Sequence, residues 1–255
     1  LRKQGVAATL MALFICGNAA LASDHEVIDL THVLGPDLPD FHLGNTAYSY
    51  KMLFEIEKDG YGDGVFTVPE HYGTHVDAPL HFFENGQPID KMPAQKFIAP
   101  GVVIDVRKEV KADSDYRLTI DKIVEFEKSG KINPGSIVLV LTGWADRFAD
   151  ARAYRNADAA GQMHYPALSK EATEYLADKC KAVGIGVDTI SADYGLSRDY
   201  PAHKAALSRG LYLIENLANL DKLPARGSTI FVGPLKIKNG TGSPARILAV
   251  IAPRQ

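Results

Sequence analysis

Gly101-Val102-Val103-Ile104-Asp105-Val106 is apolar at nearly every position, and Ser136-Ile137-Val138-Leu139-Val140-Leu141 repeats the pattern. A strand with one wet face alternates apolar and polar side chains. A run without alternation reads as a strand covered on both faces, as in the parallel part of an α/β sheet. Between the two runs Ile120, Ile123, Val124 and Glu127 follow 3/4 spacing, with Thr119 as cap and Gly130 and Pro134 as stops, which predicts a helix. Further on, Leu168, Ala172, Tyr175, Leu176, Cys180 and Val183 share one helical face, with Ser169 as cap and Gly184 as terminator. A strand at 185–188, a short helix at 201–208 closed by Gly210, and strands at 211–215, 229–232 and 247–252 complete the second half. Toward the start, 26–30 reads as a strand, 35–42 with Pro36 and Pro39 as an irregular loop of the kind that edges a pocket, and 64–69 as a β-rich run. The expectation is α/β: a single domain with a mixed β-sheet and flanking helices.

Composition agrees. The chain has 255 residues, 46% apolar and 23% charged, enough to bury a sizeable core in one domain. The formal net charge is −3 and no basic run is present, so a small molecule rather than nucleic acid is the expected partner. Residues 1–22 read as a signal peptide: Arg2 and Lys3 start it, a short apolar run follows, and Ala20-Leu21-Ala22 fits the cleavage pattern. The domain is then 23–255, periplasmic or secreted, with no membrane association after cleavage. Cys180 becomes its single cysteine, so no internal disulfide supports it, and that thiol reads as a small buried apolar group.

The chemistry is concentrated in His71-Tyr72-Gly73-Thr74-His75-Val76-Asp77-Ala78-Pro79-Leu80-His81, which holds three of the eight histidines of the chain and one carboxylate. Imidazole and carboxylate are the ligands that hold Zn²⁺, Mn²⁺ or Fe²⁺. In an extended segment His75 and Asp77 point to the same side, and Gly73 gives the backbone freedom to swing His71 toward them. These three leave coordination positions open, as a catalytic metal requires. His81 is either a fourth ligand or, as we favour, the base beside the attacking water. Trp144, Phe41 and Phe82 are candidate contacts for an aryl substrate. Arg198 and Arg209 are weaker candidates for holding an anionic product.

The stretch resembles the His-x-Gly-Thr-His-x-Asp-x-Pro-x-His motif of the metal-dependent cyclase family, which includes bacterial kynurenine formamidases and isatin hydrolases. Asp29-Leu30-Thr31, the Asp188 to Asp193 segment, Pro201-x-His203 with Gly210, Glu215-Asn216-Leu217 and Gly240-Thr241-Gly242-Ser243-Pro244 extend the likeness over almost all of 23–255. The resemblance implies the family's swivelling β/α/β domain and a divalent metal, Zn²⁺ or Mn²⁺, at one or two ions per subunit. It further implies His71, His75 and Asp77 as first-site ligands, His203 and Glu215 with a bridging Asp77 as second-site ligands, His81 as base, and a homodimer or homotetramer. The expected activity is hydrolysis of an amide bond in a small aryl or cyclic substrate, an isatin-type lactam or an aryl formamide. The alternatives are a lactonase or dehydrating cyclase on the same metal site, or a non-catalytic exported metal- or solute-binding protein.

Overall fold

The two apolar runs become neighbouring parallel strands in the middle of a sheet that closes on itself. The computed structural model describes residues 25–41 and 48–252, so the leader-like segment 1–22 lies outside the described residues. In chain order the strands are β1 (Glu26–Asp29), β2 (Ser49–Phe54), β3 (Asp63–Thr67), β4 (His75–Asp77), β5 (Ile98–Asp105), β6 (Arg117–Leu118), β7 (Ile137–Leu141), β8 (Ala167–Leu168), β9 (Gly184–Val187), β10 (Tyr212–Glu215), β11 (Arg226–Pro234) and β12 (Gly242–Ile251). The helices are α1 (Ile56–Asp59), α2 (Arg107–Ala112), α3 (Ile120–Glu127), α4 (Ala151–Arg155), α5 (Lys170–Asp178) and α6 (Pro201–Leu207).

The main sheet runs β1-β12-β11-β5-β7-β9-β10-β4, and β4 pairs a second time with β12, which closes the sheet into a barrel-like ring. Strands β5, β7, β9 and β10 are parallel. The other pairings are antiparallel, so the sheet is mixed, as the sequence predicts.

Unbroken apolar runs follow from this architecture. Val102, Ile104, Val138, Val140, Ile185 and Leu213 face outward and pack under α3, α5 and α6, through Ile123, Leu176 and Ala206 among others. Their neighbours Val103, Ile137, Leu139, Leu141, Tyr212 and Ile214 face inward and meet Val76, Ile230, Ile247 and Ala249. Both faces are dry along these stretches, which is why their residues are apolar without alternation.

Both predicted caps form: Thr119 Oγ1 accepts from Lys122 N at 3.2 Å and Ser169 Oγ from Ala172 N at 3.0 Å. The α5 helix ends sooner than its apolar pattern suggests. Lys181 adopts a left-handed φ of 54°, and Val183 N already donates to Ser136 O at 3.0 Å on the way into β9. The residues after Asp178 keep a helical apolar spacing because they are buried by the sheet, Cys180 included. The β-rich run near 64–69 becomes β3, which pairs with β2 in a separate ribbon. Tyr50, Met52, Leu53, Ile56, Val65 and Phe66 on and beside that ribbon are exposed.

Leu139 sits fully buried in the centre of the ring. Leu139→Ala is expected to lower unfolding free energy by about 2–5 kcal/mol in urea denaturation. Val124→Ala, on the exposed flank of α3, should change it by about 0.5 kcal/mol or less. Equal losses at the two positions would contradict the placement of the core.

Candidate active site

The three-residue strand β4 carries the centre of the site. It is held on both sides, with His75 opposite Glu215 of β10 and Pro244 of β12, and Asp77 opposite Leu213 and Gly242. Directly opposed residues in an antiparallel pair share a face, so His75, Asp77 and Glu215 all point into the same space. Gly73, at φ 62°, makes the turn that returns His71 to that space. The 3₁₀ turn Pro79–His81 follows β4 and brings in His81, and α6 supplies His203.

Asp77 is the hub. Its Oδ1 lies 2.5 Å from His71 Nδ1 and 3.2 Å from His75 Nε2, and its Oδ2 lies 3.3 Å from His203 Nε2. Glu215 faces the same rings, Oε1 at 3.1 Å from His203 Nε2 and Oε2 at 3.5 Å from His75 Nε2, while Oε1 also accepts from Ala192 N at 2.7 Å. Two triads bring their ligand atoms within 4.8 Å of one another, His71–Asp77–His81 and His75–Asp77–Glu215. Both triads centre on Asp77, and His81 stands inside one of them.

The far nitrogen of each ligand-type ring is committed elsewhere. His75 Nδ1 lies 2.8 Å from Gly73 O, and the same carbonyl accepts from Asn216 Nδ2 at 2.9 Å. His203 Nδ1 lies 2.6 Å from Asp193 Oδ2, whose carboxylate also accepts from Ala202 N and His203 N at the start of α6. His71 Nε2 lies 2.9 Å from Thr241 Oγ1. Such partners fix ring orientation and leave the near nitrogens facing the carboxylates. His81 differs: it is stacked on His71 at 3.8 Å between centroids and edge-on to Phe82 at 4.8 Å, and no hydrogen bond engages its ring among the described residues.

Electrostatics show what this concentration of charge demands. Burial by itself would raise Asp77, but His75 and the contacts from His203 and His71 hold its carboxyl well below the usual carboxylate range. Burial would likewise lower His75, yet Asp77, supported by Glu215, overrides it and lifts the imidazole to about 9. His203 is raised well above its ordinary value against burial, through Asp193, Asp77 and Glu215. His81 goes the other way, pushed down to about 4 by burial and then by the neighbouring rings, against the pull of Asp77. Asp77 Oδ2 is buried with no hydrogen bond. Imidazole nitrogens turned toward two carboxylates, plus a buried carboxylate oxygen without a hydrogen bond, fit a divalent cation with nitrogen and oxygen ligands once the imidazole protons are displaced.

The site opens into a cavity of about 630 Å³ that His71, His75, Asp77, His81, His203 and Glu215 all line. Its apolar wall includes Phe41, Tyr72, Phe82, Ile190 and Tyr200. Phe41 and Phe82, the candidate aryl contacts, both border this cavity. Trp144 does not. It is buried in a separate cluster with Phe148, Tyr154, Tyr165 and Ile190, its Nε1 donates to Tyr154 O at 2.7 Å, and Arg147 covers its face at 3.8 Å. The left-handed Gly143 that precedes it turns the indole into the core. Arg209 pairs with Glu174 and Asp178, and Arg198 bonds Gln162, away from the cavity. Sequence reasoning missed Asp193, Asn216, Glu70 and Thr241 as site residues. For Asp193 the signal was available, since it closes the Asp188–Asp193 segment whose first residue accepts from Thr142 and Gly143 and ties β9 to β7.

Comparison with known proteins places the chain among metal-dependent hydrolases of the same fold. The isatin hydrolase of Roseibium aggregatum is 38% identical, over 94% of this chain and 97% of its own length. The kynurenine formamidase of Bacillus thuringiensis subsp. konkukian is 29% identical, over 89% of this chain and 98% of its own. The crystal structure of an isatin hydrolase bound to the product analogue thioisatinate matches with a TM-score of 0.82 at 37% identity, covering 90% of this chain and 93% of the other. With residues 28–194 matching the family model as well, the chain belongs to the Cyclase family.

Proposed function

We propose that the protein is a metal-dependent amidohydrolase acting on a non-peptide C–N bond, and that its substrate is an isatin-type lactam or a related aryl formamide. The observation that carries this reading is the convergence of four imidazoles and two carboxylates on one side of a cavity whose other side is aromatic. The isatin hydrolase and kynurenine formamidase relatives support the substrate class. The ligands are His71, His75, Asp77, His203 and Glu215, for one or two ions of Zn²⁺ or Mn²⁺ per subunit. A divalent ion held there supplies Lewis-acid activation of the scissile carbonyl and of water near neutral pH.

The chain's own residues do the rest. Phe41 and Phe82 clasp the aryl ring, and the enclosed wall limits bulk water. The His81 ring, neutral and uncommitted by hydrogen bonds, takes the proton of the attacking water at its free nitrogen and returns it to the departing amide nitrogen. Self-association as a homodimer or homotetramer is supported by the exposed apolar ribbon β2–β3. A periplasmic or secreted location rests on the pattern of residues 1–22.

Metal analysis of purified protein, coupled to hydrolysis of isatin and of N-formylkynurenine, tests the reading: activity should disappear on chelation and return with Mn²⁺ or Zn²⁺. A metal-free protein with full activity would refute it. His81→Ala is expected to keep its metal and lose turnover by about 10²-fold or more; loss of the metal itself would make His81 a ligand instead. Metal affinity should depend on pH. His75 at about 9 is protonated at neutral pH in the free protein, and a ligand imidazole must shed that proton. The apparent dissociation constant should therefore fall about tenfold per pH unit from 7 to 8 for each proton displaced, levelling above 9. A flat profile in a chelator-competition titration would contradict the assignment of His75.

A further inference from the structure

The segment Gly240-Thr241-Gly242 enters β12 against His71, and its three residues meet that ring and its neighbour Glu70 in different ways. Thr241 Oγ1 donates a short hydrogen bond to Glu70 Oε2, and Thr241 N donates to the same oxygen at 3.1 Å. His71 Nε2 lies 2.9 Å from Thr241 Oγ1. The glycines make room for this arrangement. A Cβ on Gly240 would stand 2.9 Å from Glu70 Oε1, and one on Gly242 would stand 2.5 Å from His71 Cε1 and collide with Val76 O.

The donor and acceptor inventory then fixes the ring. A carboxylate offers lone pairs alone, so the Thr241 hydroxyl spends its one proton on Glu70. The hydroxyl oxygen can only accept from His71, which places a hydrogen on Nε2 and makes Nδ1 the nitrogen turned to Asp77 Oδ1, at 2.5 Å. A nitrogen and a carboxylate oxygen at that separation are bridged by a proton or, once it is shed, by a cation in its place.

We infer that Glu70 and Thr241 are positioning residues that hold His71 as its Nε2–H tautomer, so that Nδ1 is presented to the cation. The inference rests on the hydrolase reading and adds to it a carboxylate–hydroxyl–imidazole relay reaching across the sheet from residue 70 to residue 241. Glu70 acts through Thr241, not on the substrate. The relay pre-pays the ring's orientation, as carboxylate partners of metal-bound histidines generally do.

The test uses the full chain stripped of metal and titrated calorimetrically with Mn²⁺ at fixed pH. Thr241→Val keeps the shape and removes the hydroxyl, and should weaken Mn²⁺ binding by about 10- to 100-fold, whereas Thr241→Ser should stay within about threefold of the parent. Glu70→Ala frees the hydroxyl to turn its proton toward His71 and should also weaken binding. Because it acts through Thr241, the double variant Glu70→Ala/Thr241→Val should be no weaker than Thr241→Val alone. Nitrogen-15 correlation spectra of the Zn²⁺-loaded parent should show His71 protonated at Nε2. Parent-like binding by Thr241→Val, equal losses in Thr241→Ser and Thr241→Val, strictly additive losses in the double variant, or an Nδ1–H His71 would each overturn the relay while the parent still binds metal. A parent that takes up no cation would overturn the hydrolase reading, and the relay with it.

Discussion

Asp77 is a carboxylate with 1% of its surface exposed, ringed by imidazoles and a second carboxylate. An ionised group so far from water is sustained by opposite charge or not at all, because desolvation costs several kcal/mol and a missing partner leaves that cost uncompensated. In the free protein the compensation comes from protons on His75 and His203, which explains why both rings are raised despite deep burial. The same negative charge that recruits those protons recruits a metal. Proton and cation compete for one place, and the site's pH behaviour and its affinity are two expressions of that competition.

The sheet closure makes such a hub possible. Strand β4 is three residues long and would have little stability alone, but it is paired along both edges, to β10 and to β12. Its backbone groups are thereby satisfied within the ring, and Val76 between His75 and Asp77 faces the inner core. The alternation that sends Val76 inward sends His75 and Asp77 toward the cavity. Core packing and ligand placement are thus consequences of one register, and a slip of one residue would exchange a ligand pair for a valine.

Much of this was legible in the chain. The unbroken runs around Val103 and Leu139 announced two-sided burial, the caps Thr119 and Ser169 announced α3 and α5, and the His71–His81 stretch announced a metal. What stayed hidden depends on partners far away in sequence. The closing pair β4–β12 joins residues near 76 to residues near 243, and no local pattern encodes it. Trp144 looks like a pocket aromatic in isolation, but a left-handed glycine turns it into a cluster whose other members lie at 148, 154, 165 and 190. Glu70 and Thr241 each look like ordinary polar residues until the fold sets them side by side.

The way each ring is held separates the histidines into two kinds, which match the roles proposed for them. Three of them have their far nitrogen tied, to a backbone carbonyl, a carboxylate or a hydroxyl, and a ring tied in that way has one tautomer and one direction. That suits a ligand, which must stay still. A base must gain and lose a proton within each cycle, so a fixed tautomer would work against it. His81 is held by stacking and edge contacts, which constrain the plane of the ring and leave its nitrogens free to change. Its burial keeps the ring neutral, with its lone pair unoccupied, and the cavity it borders gives a proton somewhere to come from. On the proposed reading, the difference between ligand and base lies in the second nitrogen of each imidazole, one step beyond the residues that the motif itself spells out.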